Sequence, residues 1–281
     1  MSAVATGQRS SGEENEAQTV AFYRGVMEIL QREGVPFLVG GAFAFAHCTG
    51  IQRNTKDLDL FIRRRDYERA QQALQGAGWR TEMAFAHWLA KVYGAAGSFV
   101  DLIFNSGNGL LPVDDDWFAH ATTAQVLGLP ATLAPVEESL CSKAFIMERE
   151  RYDGADVAHL LRAQAARLDW ARLRRRFGAH WRVLLSHLVL FGFIYPDERD
   201  KLPAWLLDEL LAQLRHERTQ PSPSRGVCAG TLLSREQYLP DLEQGGLLDG
   251  RVEPFGRMTR QDVADWTRAI AETREPPPED A

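Results

Sequence analysis

Residues 38–62, LVGGAFAFAHCTGIQRNTKDLDLFI, constrain the fold more than any other part of the 281-residue chain. A short apolar stretch ends in Gly40-Gly41, and Asp57-Leu58-Asp59 follows inside a second apolar run. Side chains at positions i and i+2 of a β-strand point to the same face of the sheet. We therefore expect the carboxylates of Asp57 and Asp59 to lie side by side, where they repel each other. A hard cation such as Mg²⁺ is the compensating partner that carboxylate oxygens favour.

The Gly40-Gly41 pair predicts an anion-binding turn. Glycine has no side chain, so the backbone N–H groups of such a turn, at the start of the helix predicted for residues 42–48, can approach a phosphate closely. A phosphate-binding turn followed by paired metal-binding carboxylates indicates a phosphoryl- or nucleotidyl-transfer site. The alternative is a tight turn followed by a purely structural pair of acids.

Asp101 is the candidate for a third carboxylate in this site. Residues 86–104 predict two strands joined by a turn at 94–97, and the second strand is apolar except for Asp101. Aspartate is depleted in strands and costly to bury without a partner. That partner is either a metal shared with Asp57 and Asp59 or a nearby base such as Lys91. We predict that Asp101 lies on a strand next to the Asp57–Asp59 strand and faces the same side of the sheet.

The Gly-Gly turn, short helix and Asp-x-Asp strand resemble the nucleotidyltransferase superfamily of DNA polymerase β. Residues 53–60, RNTKDLDL, are especially similar to the Arg-x-Thr-x-Asp-x-Asp version found in abortive-infection, minimal and some aminoglycoside nucleotidyltransferases. The resemblance implies two Mg²⁺ or Mn²⁺ ions held by the catalytic residues Asp57, Asp59 and Asp101. It also implies nucleotide binding by Gly40, Gly41, Arg53 and Thr55.

The implied reaction transfers a nucleoside monophosphate from a nucleoside triphosphate to an acceptor hydroxyl, and pyrophosphate leaves. Charge builds on the phosphoryl oxygens, so catalysis by such a site is largely positioning and electrostatics. The acceptor stays open between RNA such as tRNA, protein and a small molecule. Two alternatives also stay open: an aminoglycoside-type antibiotic nucleotidyltransferase, and a catalytically inactive nucleotide-binding or antitoxin-like protein. The presence of all three acids argues against the inactive alternative.

A second resemblance lies in the helical part of the chain. Lys143 followed by RYDGADVAHLL at residues 151–161 resembles the Lys, Arg and paired-Asp motif that follows the catalytic sheet in the abortive-infection group. This implies that Lys143 faces the nucleotide phosphates and that Asp156 lies beside the site. For Lys143 the alternative is a solvated helix charge.

Residues 162–182 form a local basic run with seven arginines and one aspartate. In a chain of net charge −6 such a run stands out. It either binds the triphosphate or an RNA backbone or forms a solvated helix face.

The order of predicted elements indicates an α+β fold: a nucleotidyltransferase-like small mixed β-sheet flanked by helices, followed by a helical C-terminal domain. We predict a disordered N-terminus at 1–14, a catalytic domain at 15–134, a helical domain at 135–218 and a turn-rich extension at 219–281. The chain is 45% hydrophobic and 25% charged, as in globular proteins. It has no uninterrupted apolar run of ~18 residues and no secretory signal pattern. We therefore expect a cytoplasmic enzyme without a membrane partner.

Overall fold

The computed structural model describes residues 4–53, 55–95, 97–221 and 224–274, and the chain divides into two compact units. The first unit runs to Asn105 and resumes at Pro112–Pro135, whereas the second contains Ser106–Leu111 and the chain from Val136 onward. The sequence predicts the boundary between the catalytic and helical domains after residue 134, and the second unit continues from Val136. The segment predicted as a separate extension from residue 219 belongs to the second unit in this division.

A mixed β-sheet forms the centre of the first unit. The elements of this unit, in chain order, are α1 (Val4–Arg32), β1 (Leu38–Val39), α2 (Gly41–Thr49), β2 (Asp57–Phe61), α3 (Tyr67–Gly76), β3 (Arg80–Phe85), β4 (Leu89–Tyr93), β5 (Phe99–Ile103), α4 (Asp115–Ala119), β6 (Thr122–Val126) and β7 (Leu129–Leu133). The seven strands lie in the order β3-β4-β5-β2-β1-β7-β6. Strand β2 pairs antiparallel with β1 and parallel with β5. The predicted small mixed sheet flanked by helices is confirmed.

Helix α1 begins earlier than the sequence suggested. It includes residues 4–14, which lie in the segment predicted to be disordered, and residues 1–3 lie outside the described residues. Residues 4–14 combine good helix formers (Ala, Gln, Arg and Glu) with two glycines, two serines and a threonine, which are poorer ones. The helix therefore depends on its later turns, which are anchored by the buried side chains of Val26 and Leu30. The polar composition that suggested disorder is therefore also compatible with a helix that has its anchor further along.

The core of the first unit fixes which face of β2 carries the acids. Leu58 and Leu60 are fully buried in the hydrophobic core that also contains Val26 and Met27 of α1. Each such burial contributes about 1.5–3 kcal/mol. A one-residue slip of β2 would exchange its two faces and move carboxylates into the core. The alternation of Leu and Asp therefore holds the acidic face away from the core.

The second unit is mainly helical. Its elements are α5 (Val136–Ala144), α6 (Gly154–Gln164), α7 (Trp170–Phe177), α8 (Trp181–Ile194), α9 (Ala204–Glu217), β8 (Val227–Cys228), α10 (Leu239–Glu243), β9 (Leu248–Asp249) and α11 (Arg260–Arg274). Strands β8 and β9 form a short parallel pair. The helical character predicted for the chain after the sheet is thus present.

One helical stretch in the described part of the chain, Trp170–Ile194, is apolar and long enough to pass a test for membrane-crossing helices. A single such stretch is weak support for a membrane span, because core helices of soluble proteins pass the same test. Gly178, with φ of 50°, lies between α7 and α8. Helix α8 alone has 14 residues and spans about 21 Å, less than the ~30 Å of a bilayer core. The absence of a membrane partner stays an expectation.

Candidate active site

Three carboxylates converge on one face of the sheet. Strands β2 and β5 are parallel neighbours, and Asp59 lies directly opposite Asp101. One carboxylate oxygen from each of Asp57, Asp59 and Asp101 lies within 4.8 Å of the other two. Asp101 is buried, whereas Asp57 and Asp59 are half-buried. The prediction that Asp101 lies on the neighbouring strand and shares a face with the Asp pair is confirmed.

Asp101 also has the basic partner that the sequence left open. Lys91 on β4 lies opposite Asp101 on β5, and its Nζ donates a hydrogen bond to Asp101 Oδ1 at 2.7 Å. Burial raises the pKa of Asp101, and the negative charge of Asp57 raises it further. The Lys91 ammonium acts in the opposite direction without cancelling the increase. The two interpretations of Asp101, as a member of an acidic triad and as a salt-bridge partner, therefore hold together.

Thr55 and Arg53 border the triad in different ways. The Thr55 hydroxyl hydrogen-bonds the carboxylate of Asp57, and it lies 3.4 Å from the Asp57 backbone nitrogen. This local turn fixes the orientation of Asp57. The Arg53 guanidinium lies 4.5 Å from the centre of the Phe45 ring on α2. Nucleotide binding by these two residues stays a prediction.

The Gly40-Gly41 turn touches the same strand. The Gly40 N–H donates to the Asp59 carbonyl at 2.9 Å, and α2 begins at Gly41. A Cβ on Gly41 would lie 1.8 Å from Asp59 Oδ2, and one on Gly40 would lie 2.1 Å from the Phe61 ring. The first N–H groups of a helix have no partner within the helix. They are therefore available to an anion beside Asp59, and only glycine leaves room for that approach.

Alanine at position 41 is expected to lower transferase activity by about a hundredfold, because it must displace the Asp59 carboxylate in addition to straining the backbone. Gly50, at the other end of α2, is a matched control. Both glycines have positive φ, 53° and 75°, but no atom lies within 4 Å of a Cβ on Gly50. Gly50→Ala should cost only about 1 kcal/mol of stability and leave turnover unchanged. Steady-state rates and melting curves of both variants test this, and equal activity losses would contradict it.

Tyr23 on α1 belongs to the surroundings of the triad, which the sequence did not reveal. Its hydroxyl is buried and has no hydrogen-bond partner among the described residues. Burial, together with the negative charges of Asp57, Asp59 and Asp101, raises the pKa of Tyr23 to about 12. In the sequence Tyr23 is one member of an apolar helical stripe, so nothing distinguishes it from a core residue.

In the second unit, half-buried Lys143 is part of a charge cluster whose two acids, Asp153 and Asp156, are buried. Its Nζ donates to Asp156 at 2.7 Å and to Asp153 at 3.2 Å, and Arg151 binds Asp153 at 2.9 Å. Burial acts to raise the pKa of Asp153, but Arg151 and Lys143 outweigh it and the pKa is lowered. The interpretation of Lys143 as a solvated helix charge is wrong, because its side chain is only 17% exposed. The sequence did not single out Asp153.

The basic run at residues 162–182 is largely neutralised by acids from outside the run. Arg172 binds Glu137 and Glu138, and Arg176 also binds Glu138. Further ion pairs join Arg162 to Glu198, Arg174 to Glu209 and Arg182 to Glu217. The run is therefore not a uniformly solvated face, and its charge is not free for RNA or triphosphate to the extent that the sequence suggested.

A mixed sheet that carries a carboxylate triad next to a glycine turn at a helix start defines a site of the nucleotidyltransferase class. The sequence matches the family described as "uncharacterised nucleotidyltransferase" over residues 7–189. The chain belongs to this family and is a nucleotidyltransferase, an enzyme of the transferase class. A search of curated protein sequences finds no match.

Solved structures similar to this chain include three proteins. The lincosamide antibiotic adenylyltransferase LnuA, bound to lincomycin, is 15% identical with a TM-score of 0.37, over 51% of this chain and 95% of LnuA. The antibiotic-resistance factor ANT(2'')-Ia is 14% identical with a TM-score of 0.42, over 61% and 97%. An antigenic nucleotidyltransferase-like protein from Paracoccidioides brasiliensis is 15% identical with a TM-score of 0.43, over 66% and 92%.

Proposed function

We propose that this protein is a divalent-metal-dependent enzyme that transfers a nucleoside monophosphate from a nucleoside triphosphate to an acceptor hydroxyl. The observation that carries the proposal is the convergence of the Asp57, Asp59 and Asp101 carboxylates within 4.8 Å. Three carboxylates form a hard-oxygen donor set that fits Mg²⁺ or Mn²⁺. When bound, two such ions would neutralise charge on the phosphates and on the leaving pyrophosphate.

The residues of the chain have distinct roles in this proposal. The acceptor oxygen forms a bond to the α-phosphorus, the bond from the α-phosphorus to the bridging oxygen breaks, and pyrophosphate leaves with that electron pair. The N–H groups at the start of α2, at Gly41, bind a phosphate oxygen and hold the triphosphate. Thr55 orients the Asp57 carboxylate through its hydrogen bond. Asp101 accepts the acceptor's proton, and burial, which raises its pKa, increases its basicity.

The acceptor is proposed only as a hydroxyl of RNA, of a protein or of a small molecule such as an aminocyclitol antibiotic. The experiment is incubation with each labelled nucleoside triphosphate and Mg²⁺ or Mn²⁺ against tRNA, protein, aminocyclitols and the enzyme itself. Label on one acceptor identifies the substrate class. Tight nucleotide binding without transfer to any acceptor would favour the catalytically inactive alternative.

We also propose that Lys143 contributes to nucleotide binding, as the family resemblance implies. Lys143→Ala is expected to weaken binding of the triphosphate by ~1.5–3 kcal/mol, the scale of a lost charge-assisted hydrogen bond. Calorimetric titration measures this affinity. The titration is made well below the melting temperature of the variant, because Asp153 and Asp156 lose an ion-pair partner and the variant is expected to be less stable. Lys201→Ala is the control, since Lys201 is 41% exposed and pairs with Glu198 and the Arg162 carbonyl. Unaltered affinity in Lys143→Ala would restrict Lys143 to its structural ion pairs.

A further inference from the structure

A row of charged side chains crosses the sheet beside the proposed metal site. Asp59 on β2, Asp101 on β5 and Lys91 on β4 are direct neighbours in register. The Lys91 and Asp101 side chains are 24% and 13% exposed. Lys91 Nζ also lies 3.9 Å from the centre of the Phe99 ring on β5. A carboxylate and an aromatic ring therefore hold the ammonium group in place at the edge of the triad.

The ammonium group changes the charge that the site presents to metal ions. Ionised Asp57, Asp59 and Asp101 together with Lys91 leave two negative charges, which one divalent ion balances. A metal ion on Asp101 Oδ1 would compete for the oxygen that Lys91 occupies at 2.7 Å. It would also lie close to a like charge in a partly buried environment, where such repulsion is weakly screened.

We propose that Lys91 acts as a resident cation on the Asp101 side of the triad, so that the nucleotide-free enzyme binds one divalent ion, at Asp57 and Asp59. The second ion then enters only with the negatively charged triphosphate. This inference rests on the proposed metal-dependent function and specifies how the chain itself controls the number of ions.

Titration of the metal-free, full-length protein with Mn²⁺ in the absence of nucleotide tests this inference, with free Mn²⁺ followed by electron paramagnetic resonance. The wild type should bind one ion. Lys91→Gln keeps a hydrogen-bond donor but removes the charge, so it should either take up a second ion or bind Mn²⁺ at least about tenfold more tightly. Arg80→Gln is the matched control. Arg80 is 66% exposed on β3 and pairs with Glu82, so its loss should leave Mn²⁺ binding as in the wild type.

The outcomes separate this inference from the proposed function. Asp57→Asn serves as the variant with a disrupted metal site. If the wild type binds no more Mn²⁺ than Asp57→Asn does, the metal-dependent function itself is contradicted. If the nucleotide-free wild type binds two ions, the proposed role of Lys91 is overturned but the metal-dependent function is not. Unchanged or weaker Mn²⁺ binding in Lys91→Gln would have the same consequence. Lys91→Arg provides a second test if Lys91→Gln does not fold without metal. It keeps the charge and should bind one ion with wild-type affinity, and tenfold tighter binding would overturn the proposal.

Discussion

Asparagine in place of Asp57 or Asp59 is expected to abolish nucleotidyl transfer while the protein stays folded. Each substitution removes one of the converging carboxylates and with it several kcal/mol of transition-state charge stabilisation, so the rate should fall at least about a thousandfold. Stability should change little, because asparagine is nearly isosteric and removes a repulsive charge from the triad. Turnover with saturating Mg²⁺ and thermal melting of each variant provide the measurement.

Glu68→Gln is the control for this pair of variants. Glu68 is an exposed carboxylate on α3, in the same unit as the triad. Its conversion to an amide should leave the rate unchanged and lower stability by no more than about 1 kcal/mol, the contribution of a carboxylate in the first turn of a helix. Full activity in Asp57→Asn or Asp59→Asn would contradict the assignment of the triad.

Methionine in place of Arg172 is expected to destabilise the protein by about 3–5 kcal/mol, the cost of breaking a buried ion pair from one side. Arg172 is 3% exposed and its main partner, Glu138, is fully buried. Burial raises the pKa of Glu138, and the hydrogen bond and charge of Arg172 oppose this shift. Without Arg172, Arg176 would be the one cationic partner left to Glu138 in the part of the chain that the structure describes. Urea unfolding of the wild type and the variant measures the loss.

Two further variants test whether the destabilisation comes from breaking the buried ion pair or from losing any arginine on this helix. Arg175 lies on the same helix and is exposed, so Arg175→Met should change stability by less than about 0.5 kcal/mol. The double variant Arg172→Met with Glu138→Met should recover part of the loss, because the fully buried Glu138 carboxylate is then gone. The recovery is incomplete because Glu137 and Arg176, with side chains 12% and 17% exposed, also lose a partner. Equal destabilisation by Arg172→Met and Arg175→Met would show that the ion pair is not the cause.

The triad was predictable because its chemistry is local and periodic. The alternation of Asp57, Leu58, Asp59 and Leu60 is enough to assign the acids to one face and the leucines to the core. The position of Asp101 beside them followed from a single acid in an apolar strand together with the family resemblance. The turn between β4 and β5 was also predictable from its small residues. In the structure, the Gly94 N–H donates a hydrogen bond of 2.9 Å to the Ser98 carbonyl across this turn.

The charge pairs were less predictable because they depend on contacts between distant residues. Lys91 was one candidate among several bases until the β4–β5 register placed it opposite Asp101. Arg172 and Glu138 are 34 positions apart, and each looks like an ordinary helix charge in the sequence. The sequence therefore overstates the positive charge that the basic run leaves available to a ligand, since the acids that neutralise the run lie on other elements. Strand register decides the Lys91–Asp101 pair and helix packing decides the Arg172–Glu138 pair, and local periodicity specifies neither.

In the proposed reaction, the acceptor attacks the α-phosphorus of the triphosphate beside the Asp57, Asp59 and Asp101 carboxylates with divalent metal bound. The most direct measurement compares one nucleoside triphosphate labelled at the α-phosphorus with the same compound labelled at the γ-phosphorus, each incubated with enzyme, acceptor and Mg²⁺ and with or without excess EDTA. We expect the α label to move to the acceptor, the γ label to leave in pyrophosphate, and EDTA to stop both. Transfer of the γ label, or unchanged transfer of the α label in excess EDTA, would contradict it.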